Sequence, residues 1–263
     1  MNGNRTAGAD DLGEPLVLRS AGTPSRVVSL VPSLTEAIEA TVPGLLVGAT
    51  DYCTHPAGLD VTRIGGSKFP RVADVLALAP DLVVANVEEN RAEDVASLRA
   101  NGIPVWVTAA PDSVLAALGS VRRLLGTALG APEPPWLFEA VGAWLLTEPV
   151  RATAIVPVWR RPWVVLGRDT FAGDVLRRLG VANAFAGHPD RYPRPPLAEL
   201  TALLGNGKAD LVVLPDEPYA FSAADGPDAF PGAACVPVSG RLLTWYGPSL
   251  VEARDTLAAA LRS

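Results

Sequence analysis

Long apolar runs are missing from this chain. Stretches such as residues 154–158 and 211–214 are strand-sized and far short of the roughly 20 residues that cross a bilayer, so no membrane span is expected. Cysteine is scarce: Cys53 and Cys235 stand alone, permit at most one disulfide, and are predicted to be free thiols because they fall in what read as separate lobes. There is no Cys-x-x-Cys and there are only two histidines, His55 and His188. Positive charge is also short, 22 Lys and Arg against 28 Asp and Glu for a net charge of −6, and no basic-aromatic cluster tracks a phosphate backbone, so no nucleic-acid partner is expected. Several catalytic signatures are absent: the Gly-x-Ser-x-Gly elbow, the Walker A loop and the His-Glu-x-x-His helix. The first strand runs into Val31-Pro32-Ser33 instead of a glycine-rich dinucleotide fingerprint.

The opening MNGNRTAGADDLGEP carries three acidic residues and no apolar core. Residues 1–25 are therefore expected to be a disordered leader rather than a secretory signal, and the chain is expected to be cytoplasmic.

What is present is a chain that is 49% hydrophobic, enough for one large core or two small ones. Continuous apolar runs at 26–31, 45–49, 81–85, 103–107, 152–157, 163–166, 211–214 and 234–238 suit strands buried on both faces of a parallel sheet. Helical patterns separate them at 72–78, 92–100, 113–129, 136–146, 170–180, 197–204 and 249–261. Ser33 with Glu36 reads as a capping box opening the first helix, Thr170 as an N-cap, and Gly180 as a left-handed C-cap.

The stretch APDLVV (79–84) is echoed by KADLVV (208–213), each following a helix, which favours two related halves. The predicted fold is α/β, with two Rossmann-like lobes, each around a central parallel sheet, joined by an interdomain helix. The boundaries are 26–128 for the first lobe, 129–150 for the connecting helix region and 151–263 for the second lobe.

Open α/β sheets bind ligands beyond the carboxyl ends of their strands, which directs attention to the loops there. These hold Ser33 and Glu36; Asp51, Tyr52, Cys53 and His55; Gly65-Gly66-Ser67-Lys68; Glu88, Glu89 and Asn90; Trp159, Arg160 and Arg161; Asp216, Glu217, Tyr219 and Phe221; and Trp245 and Tyr246. Aromatic residues are only 6% of the chain, yet many fall in or beside these loops. Flat apolar faces joined to a few orienting polar groups are what a small-molecule pocket requires.

Asp51, Cys53 and His55 offer oxygen, sulfur and nitrogen to a transition metal, although two of their spacings are too close for a standard zinc site. Alternatively, His55 alone supplies one axial ligand to a metal already held by a macrocycle or siderophore. Glu88 and Glu89 read as a helix start, and Asp216 and Glu217 as a turn. Carboxylates facing a cleft from both lobes would instead bind a cation or perform acid-base work.

Six stretches together carry a family resemblance: RVVSLVPSLTE (26–36), DYCTHPAGLD (51–60), RIGGSKFPRVADVLALAPDLVVANVEEN (63–90), VWRRPWVVLGRDTFAGDVLRRLG (158–180), LPDEPYAF (214–221) and LLTWYGPSL (242–250). They resemble the helical-backbone metal receptor family, substrate-binding proteins for cobalamin, siderophores and haem. The resemblance implies a ligand lying between two lobes, with Tyr52 and Trp159 as aromatic contacts and Tyr192 and Trp245 on the second-lobe rim. It places Ser67 and Asn86 where a cobalamin-binding relative has tryptophan. Relatives that feed an importer dock through one glutamate per lobe; Glu199 matches one position, and Ala73, with Asp74 beside it, the other. Pro134-Pro135 and Pro149 leave about 13 residues for the linker helix, about 20 Å, shorter than the family's.

The leading expectation is non-catalytic binding of a cobalamin-like corrinoid or other metal chelate. The alternatives are an enzyme that has recruited the cleft, using Glu36, His55, Glu88, Asp216 or Glu217, and a ligand-responsive interaction protein.

Overall fold

The structure is a computed structural model and describes residues 5–19 and 22–262. Two units make up the chain: one comprises Met1–Ala110, Leu118–Phe138 and Tyr246–Pro248, the other Pro111–Ala117, Glu139–Trp245 and Ser249–Ser263.

The first unit is built on a five-stranded, wholly parallel sheet. Its strands are β3 (Val27–Ser29), β4 (Leu46–Ala49), β5 (Thr62–Arg63), β6 (Leu82–Asn86) and β7 (Val105–Thr108), in the order β5-β4-β3-β6-β7. Three helices connect them, α1 (Pro32–Thr41), α2 (Val72–Ala77) and α3 (Ala92–Ala100). The continuous apolar runs have the predicted consequence: every residue of β3, β6 and β7 is buried, and Val28, Val83, Val105, Leu98 and Val75 share one core. Gly48 allows close packing here, since a Cβ on it would lie 2.6 Å from Leu78 Cδ1.

The expected leader is instead ordered over much of its length. β1 (Arg5–Ala9) and β2 (Pro15–Leu18) pair as an antiparallel hairpin. The tip explains why: Asp10 and Asp11, which read as merely acidic, are both nearly fully buried at their side chains. Asp10 pairs with Arg99 and accepts from the backbone N–H of Val107, while Asp11 pairs with Arg123 and accepts from Ala109 N–H. The buried carboxylates satisfy the outer edge of β7, an edge that a sheet otherwise leaves open.

The helical stretch expected at 113–129 is α4 (Val114–Arg123) running into a π-helical turn, Leu124–Ala128; a second helix, α5 (Pro135–Trp144), follows. The division between units falls within both helices, so Pro111–Ala117 belongs with the second unit; separately, Tyr246–Pro248 belongs with the first.

The second unit has a four-stranded parallel sheet of β8 (Ala152–Ile155), β11 (Val181–Asn183), β12 (Leu211–Pro215) and β13 (Ala234–Val238), ordered β11-β8-β12-β13. A separate two-stranded ribbon consists of β9 (Pro157–Trp159) and β10 (Val164–Val165). The unit's further helices are α6 (Phe171–Arg178), α7 (Leu197–Gly205), α8 (Gly240–Thr244) and α9 (Leu250–Ala260). Thr170 caps α6 by accepting from Gly173 N–H at 3.3 Å, and Gly180 ends that segment with φ +77°. Short β11 and α8 are additions to the expected element order.

Two local readings are corrected. Ser33 is not an N-cap: α1 begins at Pro32, whose fixed φ suits the first helical position, and no side chain caps the Val31 end. Glu88 and Glu89 do not start a helix, since α3 begins at Ala92 with Glu93 and Asp94 in its first turn.

Candidate functional site

Strand order alone marks where each sheet opens a crevice. In the first unit the chain builds outward from β3 through β4 to β5, then crosses back to β6 and β7. The connections leaving β3 and β6 therefore diverge, and the gap beyond their carboxyl ends is the topological switch point. In the second unit the chain goes from β8 to β11 on one side and to β12 and β13 on the other, so the switch point lies beyond β8 and β12. Most residues expected to contact ligand follow the carboxyl end of a strand of one of the two sheets within a few positions, whereas Tyr192 lies nine residues beyond β11 and Trp245 follows α8. The equivalence of the halves is thus topological as well as a six-residue echo.

In the first unit, two asparagines hold the rim together. Asn86, at the end of β6, donates from Nδ2 towards Thr108 Oγ1 (3.0 Å), Ala109 O (3.0 Å) and Tyr246 Oη (3.1 Å), and its Oδ1 accepts from the backbone N–H of Glu88 at 2.8 Å. Asn90 accepts from Asn86 N–H and donates to Leu30 O and Ser67 O. Loops leaving β3, β5, β6 and β7 are thereby fixed to one another. Tyr246 is buried among these groups, and burial together with the nearby charges of Glu89 and Glu88 pushes its phenol well above the ordinary range.

Around this knot lie Ser33 and Glu36, buried in α1, and half-buried Glu88. Tyr52 is 65% exposed and its ring edge lies where a Cβ on Gly66 would sit 3.3 Å away, so glycine leaves room for the ring. Phe69 is 70% exposed, with the Arg91 guanidinium 4.8 Å from its ring centre. Lys68 donates to the carbonyl of Glu88, which fixes its amine to the rim.

The expected oxygen-sulfur-nitrogen set of Asp51, Cys53 and His55 does not assemble. Cys53 is turned into the core, where its sulfur contacts the hydroxyls of Thr35 (3.0 Å) and Thr50 (3.1 Å), whereas Asp51 is exposed. Burial pushes the Cys53 thiol up, away from the thiolate that binds metal. Among the described residues no group of three His, Cys, Asp or Glu side chains can hold a metal ion. His55 remains half-buried at the rim, its Nδ1 3.1 Å from Thr54 Oγ1.

In the second unit, Trp159 is 44% exposed and meets Tyr219 edge to face, with ring centres 5.6 Å apart. These residues stand four positions beyond the ends of β8 and β12 respectively, so they meet at the switch point. Tyr219 also packs on Phe221, which stacks on Trp163. The Tyr219 phenol donates to Asp225 at 2.6 Å, a bond that holds the phenol's proton and favours the ionised carboxylate.

Arg160, expected to meet ligand, points instead into this cluster. It pairs with Asp225 and Asp228 and lies over the Trp163 ring, leaving its side chain 11% exposed. Two acids and an indole outcompete solvent for its guanidinium, so Arg160 supports the aromatic wall. Trp245, expected on the rim, is 7% exposed and buried under Arg241 and beside Glu217. Burial raises the Glu217 carboxyl above its ordinary value, with the Trp245 side-chain hydrogen bond opposing the shift and Asp216 adding to it. Tyr192 is 42% exposed.

Of the docking carboxylates, Glu199 is exposed in the first turn of α7, while Asp74 is engaged by Arg71 at 2.5 Å. Phe69 and Asn90 were not among the expected ligand contacts. The strand-end rule would have found Phe69, but β5 is only two residues long and leaves a faint pattern.

No family model and no curated protein matches the chain by sequence. Among solved structures, the periplasmic haem-binding protein RhuT from Roseiflexus sp. RS-1 superposes with a TM-score of 0.74 at 22% identity, covering 91% of this chain and 98% of its own. A periplasmic haem-binding protein from Pseudomonas aeruginosa gives 0.72 at 23% identity, with 90% and 92% covered. The periplasmic vitamin B12-binding protein BtuF of Vibrio cholerae gives 0.67 at 16% identity, with 91% and 97% covered. These likenesses establish that the chain has the fold of periplasmic haem- and vitamin B12-binding proteins.

Proposed function

We propose that this protein binds a metal chelate of the haem or corrinoid class without transforming it. The observation that carries the reading is that both parallel sheets carry exposed aromatic faces in the loops beyond their strands' carboxyl ends: Tyr52 after β4 and Phe69 after β5 in the first unit, Trp159 after β8 in the second. A single ring laid on a flat ligand buries about 150–250 Å², and solvent-exposed rings of this size are otherwise unfavourable. The fold shared with haem- and vitamin B12-binding proteins supports the same ligand class.

His55 is the nitrogen donor this reading assigns to the chelated metal, because imidazole is a common ligand for such ions. Tyr52 and Trp159 supply stacking area, and the Asn86–Asn90 knot preorganises the first rim. Exposed Glu199 is the carboxylate available to a permease if the ligand is handed on.

Titration of the purified protein with hemin and with hydroxocobalamin, followed by absorbance and tryptophan fluorescence, tests the reading. A 1:1 isotherm with at least one chelate is expected, with the metal spectrum altered in His55→Ala and affinity lowered in Trp159→Ala. Failure of both chelates to bind overturns it. Chemical turnover of a bound chelate would favour the enzyme alternative.

A further inference from the structure

Asp11 lies in the turn between β1 and β2, outside every loop that follows a strand of the central sheets, yet its side chain is only 2% exposed. Its Oδ1 accepts from Arg123 Nε (3.0 Å) and Nη2 (2.7 Å), and its Oδ2 accepts from the Ser120 hydroxyl and from the backbone N–H of Ala109 (3.1 Å). A carboxylate has about four lone-pair sites, so this one is fully occupied. The Asp11 N–H also donates to Val107 O at 3.2 Å. One residue therefore ties the hairpin to α4 and to the end of β7, and every group it holds belongs to the first unit.

The Ala109 N–H is part of the Thr108–Ala109 peptide group, whose carbonyl serves the rim. Thr108 O accepts from Val87 N–H at 3.1 Å and lies 3.3 Å from Asn86 Nδ2, while the next carbonyl, Ala109 O, accepts from that amide at 3.0 Å. Asp11 thus grips the donor end of a peptide whose acceptor end holds the Asn86–Asn90 knot. β7 ends at Thr108, so no sheet neighbour fixes the chain beyond it. A hydrogen bond to a carboxylate is stronger than one between neutral groups, and bonds in series polarise one another, so the grip also strengthens Thr108 O as an acceptor. From Asn86 the series continues to Glu88 N–H and to the Tyr246 phenol.

Resting on the binding function proposed above, we infer that Asp11 is a positioning residue of the first rim: it touches no ligand and fixes the loop after β6 through the Thr108–Ala109 peptide. The N-terminal hairpin is then a working part of the binding apparatus. Asp10 supplies the internal contrast. Its side chain is 1% exposed and bonded to Arg99, Leu12, Glu14 and the Val107 N–H, and none of these groups is hydrogen-bonded to Asn86 among the described residues.

Amide hydrogen exchange on the full chain, comparing the parent with Asp11→Asn, Arg123→Gln and Asp10→Asn, tests the inference without any ligand. Asp11→Asn turns one acceptor oxygen into a donor set against donors, and Arg123→Gln removes the ion pair while leaving the carboxylate in place, so the second variant carries the test if the first does not fold. The Val87 and Glu88 amides should exchange about tenfold faster in Asp11→Asn, less than that but measurably faster in Arg123→Gln, and within about twofold of the parent in Asp10→Asn, although all three variants melt below the parent. Hemin or hydroxocobalamin, whichever the parent binds, should be held about tenfold less tightly by Asp11→Asn and with parental affinity by Asp10→Asn. Unchanged exchange at Val87 and Glu88, or equal acceleration in Asp10→Asn and Asp11→Asn, overturns the inference and leaves chelate binding standing. So does faster exchange with unchanged affinity. If the parent binds neither chelate, the function falls, and the assignment of this loop as a rim falls with it.

Discussion

The side-chain amide of Asn86 donates to the phenol oxygen of Tyr246 at 3.1 Å, across 160 residues of sequence. That nitrogen has only two protons but four oxygens within reach, on Thr108, Ala109 and Tyr246. The bonds are shared, and the amide acts as a hub that a smaller side chain cannot imitate.

Asn86→Ala should lower stability by about 2–3 kcal/mol, since it removes a partner from the buried Tyr246 hydroxyl and leaves the Glu88 amide without its acceptor. Urea unfolding checks this: the midpoint should drop with the slope unchanged. A midpoint like that of the parent would show that water replaces the amide.

The two thiols should react in two phases. Cys53 is fully buried and hydrogen-bonded to two threonines, whereas Cys235 is half-buried; burial raises both above the ordinary thiol value. A colorimetric thiol reagent at mildly alkaline pH should modify Cys235 first and Cys53 only as the first unit opens. In denaturant both should react together. Rapid modification of Cys53 in the native protein would contradict its place in the core.

Asp228 gives a pH signature in the acid range. The Arg160 guanidinium, helped by the Gly226 amide, lowers its carboxyl from 3.8 to about 2. A depressed carboxylate stabilises the fold above its unfolded value, and the contribution is lost as pH falls through the folded one. Asp228→Asn should therefore melt below the parent at neutral pH, with the gap closing between 3.8 and about 2. A gap that does not vary with pH would assign the effect to packing.

Glu217 should behave in the opposite sense. Its carboxyl is raised by burial, so the fold favours the protonated form; stability from this group is complete below 4.5 and is lost as pH rises through the higher folded value. Glu217→Gln, a neutral mimic that keeps an acceptor for Trp245, should raise Tm by about 2 °C at neutral pH and lose that advantage in acid. Thermal melts at pH 4 and 7 decide it; a lower Tm at pH 7 would mean that Arg241 needs the charge.

Sequence and structure agree where the signal is local and differ where it is shared. Continuous Val-rich runs can be buried only on both faces of a sheet, and β6, β12 and β13 lie within a residue of where those runs place them. Thr170 and Gly180 announce both ends of α6 by their own chemistry. The N-terminal hairpin gave no such signal. Asp10 and Asp11 look like solvent-facing acids until Arg99 and Arg123, some 90 and 112 residues away, are brought against them.

The candidate site divides in the same way. By itself the sequence determined which loops carry aromatic and polar groups, because strand ends and turn residues are written locally. Which of those groups face solvent was decided only by tertiary structure: Trp159 and Tyr52 remain exposed, while Trp245 and Arg160 turn inward. The reason is competition for partners. An arginine beside two distant aspartates, or an indole beside a buried carboxyl, goes where desolvation is best compensated, and those partners meet only when the chain is folded.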